Sequence, residues 1–514
     1  MYPPGDDPAA NSGFIYLILS EGHIPTTNLY HMPGTPYTYP PLFHLLGSSL
    51  TLFTGIQALP ITEALAIVVS AMLILPAFCL TRLFWKNPLT SAVVSFLFAV
   101  STPDLYMLCW GGYVNVVTLF MIPIVFFLSL KDGPPSIGGV LTGGLLAGAI
   151  LLSHHLSAFV FVCLVVGIIT LGTIAQGLAK APMKAWKEPV KKLAVTTTIG
   201  LLVSAPWFAS RFETYRGILT PSEVIKVAMT KTNFAYLGFQ ALASFTGSLT
   251  MLALLWLALL GFKSLTGDGK WHDPRQVTLL TWIALPLVLT YSFIFGFTGY
   301  TQRFLYFSIH PLLILTAVGL SSLTSLISGF KDLAHRRKAL LAVGLLICVY
   351  AEGAIVFIAG PSGQYNYFQT IREEEMGVIG WVATYTPSNS LIVANHSIGW
   401  WMAGVGHRPT YSATPPQLLT YSYELPLTTA ANDTIYAKPD YKDIIRDHNV
   451  TYIVVRKLGD PLPNDTLDQI LTREAFWKMA KDPDLNLIFA SSNIAVFRVS
   501  SDHRTGLKSI QSTF

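Results

Sequence analysis

Long apolar stretches alternate with short polar ones between residues 61 and 360. A helix that crosses a bilayer needs about 20 mostly apolar residues, and ten of these stretches approach that length. The pattern therefore predicts a polytopic α-helical membrane protein. The ten predicted spans cover residues 61–83, 88–107, 113–130, 137–153, 156–178, 193–210, 240–262, 277–297, 304–327 and 339–359.

The loops between these spans fall into two sets that differ in basic residues. One set holds fifteen Lys and Arg residues and the other holds five. Loops rich in Lys and Arg stay in the cytoplasm, so the first set is predicted to be cytoplasmic. An even number of spans then places the N-terminus and the C-terminus outside the cell membrane. The five exterior basic residues are Arg211, Arg216, Lys226, Lys231 and Arg303.

The first 44 residues are polar, rich in Pro and Gly, and free of Lys and Arg. They contain two adjacent carboxylates, Asp6 and Asp7. This composition predicts an exterior acidic loop. Residues 40–55 are too short for a span and carry His44, so they are predicted to form an amphipathic helix on the membrane surface. Residues 1–60 therefore form the first predicted region, and the transmembrane domain covers residues 61–360.

After Gly360 the long apolar runs stop, which predicts an exterior soluble α/β domain over residues 361–514. Residues 390–395 and 451–457 have strand composition, residues 441–449 precede the second strand as a helix, and residues 486–499 read as a hairpin turning near Ser491–Asn493. Glycosylation sequons occur in this region and not before it, which supports an exterior location. The predicted glycan sites are Asn395, Asn432, Asn449 and Asn464.

Composition agrees with a membrane protein. Hydrophobic residues make up 52% of the chain and charged residues 12%, with a mean hydropathy of +0.51, whereas soluble domains carry about 25% charged residues. The net charge of +5 is small and tied to loops, so nucleic acid is excluded as a partner. The four cysteines have no metal or redox spacing. An exterior domain without Cys is typical of an archaeal or bacterial envelope.

Two kinds of side chain on the predicted exterior face could act on a phosphate-bearing substrate. Asp6 or Asp7 could deprotonate a hydroxyl group or hold a divalent cation; the alternative is a solvated turn. Arg303, with Gln302 beside it, could bind phosphate through its guanidinium group. The alternative for Arg303 is an interfacial anchor.

Further candidates lie on the same face. His154 and His155 stand where two predicted spans meet, and they could handle a proton or serve as buried structural residues, as could His44. Arg211 could contribute to a cationic rim for an anionic lipid. Glu352, by contrast, lies inside a predicted span and is the one clear intramembrane acid. Gathering of these candidates at one face favours group transfer over transport, because a transporter would bury charges near the midplane.

Together, the acidic first segment, the Tyr39-Pro-Pro-Leu-Phe-His44 stretch, the exterior Arg303 and the exterior C-terminal domain resemble the GT-C class of membrane glycosyltransferases. The resemblance implies a polyprenyl-phosphate-linked sugar donor bound in the membrane and an acceptor of unknown identity. It implies that Asp6 or Asp7 is the catalytic base, that Asp7 could bind Mg²⁺ or Mn²⁺, that Tyr39 begins the surface helix, and that Arg303 binds phosphate. The source is expected to be prokaryotic, and archaeal in particular.

Two departures from that class stand in the sequence. The class has a span before the acidic segment, and this chain begins directly at Tyr2-Pro3-Pro4-Gly5-Asp6, so the first span is expected to be absent. Residues 396–404 (HSIGWWMAG) are faintly similar to the tryptophan-rich acceptor motif of oligosaccharyltransferases, without its acidic residue. Three functions remain open: a lipid-linked sugar transferase, a transporter or flippase of lipid-linked saccharide, and a catalytically inactive envelope protein.

Overall fold

The computed structural model describes residues 2–179, 184–218, 223–235, 256–264, 272–295, 297, 301–328, 332–360, 363–415, 419, 422–457 and 472–500. Within them the chain is mostly helical. Six of the described helical segments are long and apolar enough to cross a membrane, and shorter apolar helices accompany them. The six are Ala58–Phe84, Pro88–Trp110, Tyr113–Leu130, His155–Leu178, Trp186–Ser210 and Thr301–Leu323.

The predicted spans correspond to helices, but the predicted count of ten is not confirmed. Residues 137–153 and 277–297 form apolar helices below spanning length, Ile137–Leu151 and Pro274–Leu289, and much of 240–262 lies outside the described residues. The last predicted span lies within one long helix, Leu333–Ala359. The helices of this region, from the N-terminus, are Asp7–Glu21, Leu42–Thr54, Ala58–Met72, Ile74–Phe84, Pro88–Ala99, Thr102–Trp110, Tyr113–Leu130, Ile137–Leu151, His155–Ala179, Lys184–Ser210, Phe212–Ile218, Glu223–Ala235, Pro274–Leu289, Leu305–Ser328 and Leu333–Ala359.

Two spans, Tyr113–Leu130 and Thr301–Leu323, are the most deeply buried of the six. Both carry apolar side chains around the whole helix, as expected when neighbouring helices surround it. Local signals start several of the other helices. Asn87 accepts a hydrogen bond from the Leu89 amide before the helix Pro88–Ala99, and Ser136 caps the helix Ile137–Leu151 in the same way.

The predicted acidic loop is wrong in one respect, because residues Asp7–Glu21 form an α-helix with Pro8 in its first turn. We call it the first helix. Its polar residues Asn11 and Ser12 are buried rather than solvated, which made the segment look like a loop. The first helix crosses the helix His396–Gly404 so closely that a Cβ atom at Gly13 would lie 2.9 Å from the Gly404 Cα atom. Glycine is needed there for this backbone approach.

The C-terminal domain contains a sheet whose five described strands are β1 Leu391–Asn395, β2 Thr410–Ala413, β3 Val450–Arg456, β4 Leu485–Ala490 and β5 Ile494–Val499. Their order in the sheet is β2-β1-β3-β5-β4. Strands β1 and β3 pair in parallel, as do β1 and β2, whereas β5 pairs antiparallel with both β3 and β4. The predicted strands and the predicted hairpin correspond to β1, β3, β4 and β5; β2 was not predicted. The helices of this domain are Gln364–Tyr367, Glu373–Tyr385, His396–Gly404, Leu425–Ile435, Tyr441–Asp447 and Arg473–Ala480.

The N-terminal segment is attached to the edge of this sheet. Beside β2, the Thr410 amide donates to the Tyr30 carbonyl at 2.6 Å, and the Met32 amide donates to the Thr410 carbonyl at 2.9 Å. Met32 is fully buried in the core of the sheet. Backbone pairing of this kind fixes the register of the segment, so the N-terminal residues and the C-terminal domain are held as one unit.

A buried ion pair joins the sheet to the segment that follows the last membrane helix. The guanidinium of Arg456, at the end of β3, donates to both carboxylate oxygens of Glu375 at 2.7 and 2.9 Å and to the Thr370 carbonyl at 2.8 Å. Arg456 is 1% exposed and Glu375 is fully buried. Such bidentate geometry is the strongest form of this pair, and here it fixes the position of Thr370.

Candidate functional site

Asp6 and Asp7 are adjacent in sequence but face different surroundings. One Asp6 oxygen accepts from the Thr370 hydroxyl at 2.7 Å and the other accepts from the Ser397 hydroxyl at 2.9 Å. His396 lies 3.6 Å from the second oxygen. Asp6 is thus bound to the C-terminal domain on both oxygens. Its role in this geometry is to hold the start of the first helix against that domain.

Asp7 points away from these partners and keeps a solvent-accessible surface. Neighbouring protein atoms still desolvate the carboxylate and raise its pKa to about 6; the Arg303 guanidinium opposes this shift, and Asp6 adds to it. A carboxylate with a pKa near 6 is ionised at neutral pH while remaining a stronger base than an ordinary Asp. Asp7 therefore has the properties of a general base.

The chain turns at Trp110–Gly112, between two helices, directly against Asp7. We call this turn the Trp110 corner. Gly111 has φ +90°, and a Cβ atom there would lie 2.5 Å from Pro8 Cδ and 2.8 Å from Asp7 Cβ. Glycine is therefore required both by the left-handed backbone and by contact with the first helix.

The Trp110 corner also supports Arg303. The Arg303 guanidinium carbon lies 4.5 Å from the centre of the Trp110 ring, a cation–π distance. The Trp110 indole donates to the Tyr306 hydroxyl at 2.9 Å. Because Arg303 also acts electrostatically on Asp7, one turn of the chain places a carboxylate and a permanent cation close to each other.

Tyr39, His154 and His155 complete this side of the site. The Tyr39 ring lies 5.8 Å from that of His154 and 6.0 Å from that of His155, and the two imidazoles stack at 4.5 Å. Burial, His155 and Arg303 all lower the pKa of His154, so its imidazole is neutral. The Nδ1 atoms of both histidines are buried and have no hydrogen-bond partner among the described residues. Gln302, next to Arg303, likewise has a buried Oε1 atom without a partner in that part of the chain.

Two other predicted binding residues serve the scaffold. His44 is fully buried and bridges Tyr37, at 3.1 Å, and Asn11, at 2.9 Å, so it joins the surface helix to the first helix. Arg211 donates to the backbone carbonyl of Pro25 at 2.7 Å and stacks on Trp207. These contacts hold the segment between the two helices, and a role of Arg211 toward an anionic lipid stays a prediction.

Asp7 is the predicted ligand for a Mg²⁺ or Mn²⁺ ion at this site. Within the described residues no group of three His, Cys, Asp or Glu side chains is arranged to hold a metal. Asp6, which would be the natural second ligand beside Asp7, has both oxygens engaged by hydroxyl groups. Mg²⁺ is often held by one or two carboxylates together with substrate phosphates, so a metal role for Asp7 stays a prediction.

The predicted glycan sites differ in accessibility. Asn395 is fully buried and its side-chain oxygen accepts from the Arg456 amide at 2.5 Å, so the prediction of a glycan there is inconsistent with the fold. Asn449 is exposed and adopts a left-handed conformation with φ +54°, while Asn432 is half-buried in a helix. Asn464 lies outside the described residues.

Sequence reasoning missed the residues that connect the site. Trp110 and Tyr306 were hidden among aromatic residues typical of membrane interfaces. Asp104 was overlooked as an acid inside a span, although it is 3% exposed and lies 3.1 Å from His310. Glu352, the acid that was noticed, is exposed on the surface of its helix. An Asp within an apolar run, with a His in another, was the available signal for the missed pair.

The fold and the site together define a multi-pass membrane protein with the GT-C glycosyltransferase fold. Three solved structures show the similarity. The oligosaccharyltransferase of Archaeoglobus fulgidus superimposes with a TM-score of 0.57 at 12% identity, covering 88% of this chain and 66% of that one. ArnT from Cupriavidus metallidurans gives 0.59 at 11% identity, covering 96% and 94%. The arabinofuranosyltransferase AftD from Mycobacteria gives 0.56 at 14% identity, covering 98% and 38%.

These similarities establish the shared fold, and the predicted resemblance to the GT-C class is confirmed at that level. This chain spans slightly less than two thirds of the length of the oligosaccharyltransferase but nearly all of ArnT. No protein-family model and no curated protein sequence matches the chain. The similar structures come from both archaea and bacteria, so the expected archaeal origin is not supported.

Proposed function

We propose that this protein is a glycosyltransferase that moves a sugar from a polyprenyl-phosphate-linked donor to an acceptor outside the cell. The observation that carries the proposal is the common location of Asp7 and Arg303 at the Trp110 corner. Two proteins of the same fold support the donor class: the Archaeoglobus fulgidus oligosaccharyltransferase has been solved with dolichol-phosphate and ArnT with undecaprenyl phosphate.

The two charged side chains have complementary roles in such a transfer. Asp7 removes the proton from the acceptor's nucleophilic group as that group bonds to the anomeric carbon of the sugar. The bond from that carbon to the phosphate oxygen breaks, and the departing phosphate gains negative charge, which the Arg303 guanidinium stabilises by hydrogen bonding. The Trp110 ring fixes the guanidinium before the substrate arrives, so little reorganisation is required.

Tyr39 and the stacked His154 and His155 lie beside these charges. The buried Nδ1 atoms of the two histidines are available to the sugar or phosphate, because a buried polar atom without a partner is costly and is satisfied when a ligand binds. We assign these three residues to donor binding. The exterior orientation of the site follows the charge distribution of the loops and is part of the proposal.

The test uses the full chain purified into lipid nanodiscs with a radiolabelled polyprenyl-phosphate sugar and an envelope extract as the source of acceptor. Asp7→Asn should abolish transfer and retain binding of polyprenyl phosphate, whereas Arg303→Ala should weaken that binding. Lys226→Ala is the matched control, because Lys226 is an exposed cation in the same set of predicted exterior loops. Transfer that survives both Asp7→Asn and Arg303→Ala would refute the proposal.

A further inference from the structure

A buried carboxylate–imidazole pair lies within the membrane domain, away from the reacting groups. His310 Nε2 is 3.1 Å from Oδ1 and 3.2 Å from Oδ2 of Asp104. The two side chains are 0% and 5% exposed. Nε2 therefore lies within hydrogen-bonding distance of both carboxylate oxygens, which are hydrogen-bond acceptors.

The pair joins the two chain segments that build the Trp110 corner. Asp104 is on the helix Thr102–Trp110, six residues before Trp110. His310 is on the helix Leu305–Ser328, seven residues after Arg303. At the other end of the same two segments, the Trp110 indole bonds to Tyr306 and the Arg303 guanidinium stacks on Trp110. Two separate polar links therefore hold these segments in one register.

We propose that Asp104 and His310 are a positioning pair that sets where Trp110 and Gly111 stand, and through them the separation of Asp7 and Arg303. The packing of Gly111 against Pro8 and Asp7 leaves no space for movement of the corner toward the first helix. Sliding of the helix Thr102–Trp110 along its axis would displace the support of both charged groups at once. Displacements of about 1 Å at a reacting group cost on the order of 100-fold in rate.

A buried acid within a span must be paired or hydrogen-bonded, so any pair here would stabilise the fold. A pair that only stabilises the fold changes the folded fraction, whereas a positioning pair also changes the geometry of the site in folded molecules. The positioning role predicts that correctly folded molecules without the link bind the donor phosphate poorly, because Arg303 is displaced. This inference rests on the proposed function, in which Arg303 binds that phosphate.

The experiment measures binding of radiolabelled polyprenyl phosphate, and transfer, for His310→Leu and His310→Gln in nanodiscs. The Gln amide nitrogen replaces the Nε2 donor, so His310→Gln should retain binding within about threefold, while His310→Leu should lose on the order of tenfold or more. Thermal melting reports the folded fraction of each variant. Lys192→Met is the stability control, since it removes another buried link between segments, from Lys192 to the Lys131 carbonyl at 2.6 Å.

Each outcome either supports or overturns the positioning role of the pair. Weak binding by folded His310→Leu, with His310→Gln and Lys192→Met close to the wild type per folded molecule, supports the positioning role. Equal binding by His310→Leu and the wild type overturns it, as does a loss that merely follows melting in all three variants. If His310→Leu fails to fold, Asp104→Ala, which removes the acceptor oxygens, is measured in its place and must show the same loss per folded molecule. Unchanged binding in Arg303→Ala would instead refute the proposed function.

Discussion

Replacement of Arg303 by Gln should shift the pH midpoint of transfer upward. Asp7 must be ionised to accept a proton, and its pKa is about 6 in the presence of Arg303. In the wild type, kcat/KM should therefore rise with pH, reach half of its plateau near pH 6, and be about one tenth of the plateau at pH 5. An Asp with an ordinary pKa would give an almost flat profile over that range.

Arg303 lowers the pKa of Asp7 by favouring its charged form. Loss of a neighbouring opposite charge typically raises a carboxyl pKa by about 1–3 units, and the lower end applies here because Asp7 keeps contact with solvent. In Arg303→Gln the midpoint should move from about 6 to about 7. At pH 6 the active fraction would then fall from about one half to about one tenth of that variant's own plateau.

The assay is kcat/KM for the lipid-linked donor between pH 4.5 and 8.5, with each variant normalised to its own plateau. Normalisation is needed because loss of the phosphate contact lowers the plateau of Arg303→Gln by itself. Lys226→Gln serves as the control and should keep a midpoint near pH 6. A midpoint in Arg303→Gln that is unchanged or lower would refute the placement of Arg303 beside Asp7, and a flat wild-type profile would refute Asp7 as the base.

Three further predictions concern stability and packing. Folding raises the pKa of Asp7, so the stabilising effect of its protonated form is present below about pH 4 and is lost as the pH rises through about 6. Asp7→Asn should therefore raise the melting temperature relative to the wild type at pH 7.5 and not at pH 4. Gly111→Ala should destabilise the protein and abolish transfer. Gly133→Ala is the control, because Gly133 has a similar left-handed φ of +93° but open space around it; it should show only the backbone strain of about 1 kcal/mol and retain transfer. Equal losses of transfer in both variants would exclude the contact with Asp7 as the cause. Arg456→Met should cost about 3 kcal/mol in unfolding free energy, the low end for a broken buried pair, because Glu375 keeps its ion pair with Arg372 at 3.1 Å. The double variant with Glu375→Leu should recover part of this loss, as measured by chemical denaturation.

The membrane architecture could be predicted from the sequence because its signal is strong and local. Each bilayer-crossing helix must satisfy its own backbone and cover it with apolar side chains, and this produced helix predictions close to Tyr113–Leu130 and His155–Ala179. The hairpin of β4 and β5 was predicted because strand periodicity and the Ser491–Asn493 turn are also local. It was harder to predict which apolar helices are long enough to cross the membrane, because Ile137–Leu151 and Pro274–Leu289 are apolar but shorter than a span.

The first helix was missed because its polarity reflects burial against another domain, which has no local signature. Asn11 faces His44, and Asp6 faces Thr370 and Ser397, which are more than 360 residues away in sequence. The pattern of residues therefore suggested a solvated loop. Contacts at such separation are set by tertiary packing, and single-sequence periodicity does not record them.

The different roles of Asp6 and Asp7 follow from the same long-range contacts. Adjacent residues at the start of a helix point in different directions, so the Asp6 carboxylate can be bound by the C-terminal domain while the Asp7 carboxylate lies near Arg303. Binding of Asp6 fixes the backbone of Asp7 from one side, and Gly111 fixes it from the other. A catalytic base must be held within a fraction of an ångström of its productive position. The C-terminal domain thus acts on the site through Asp6, and a break in that link, such as Asp6→Ala, should lower turnover while leaving the pH midpoint set by Asp7 and Arg303 within about half a unit of the wild type.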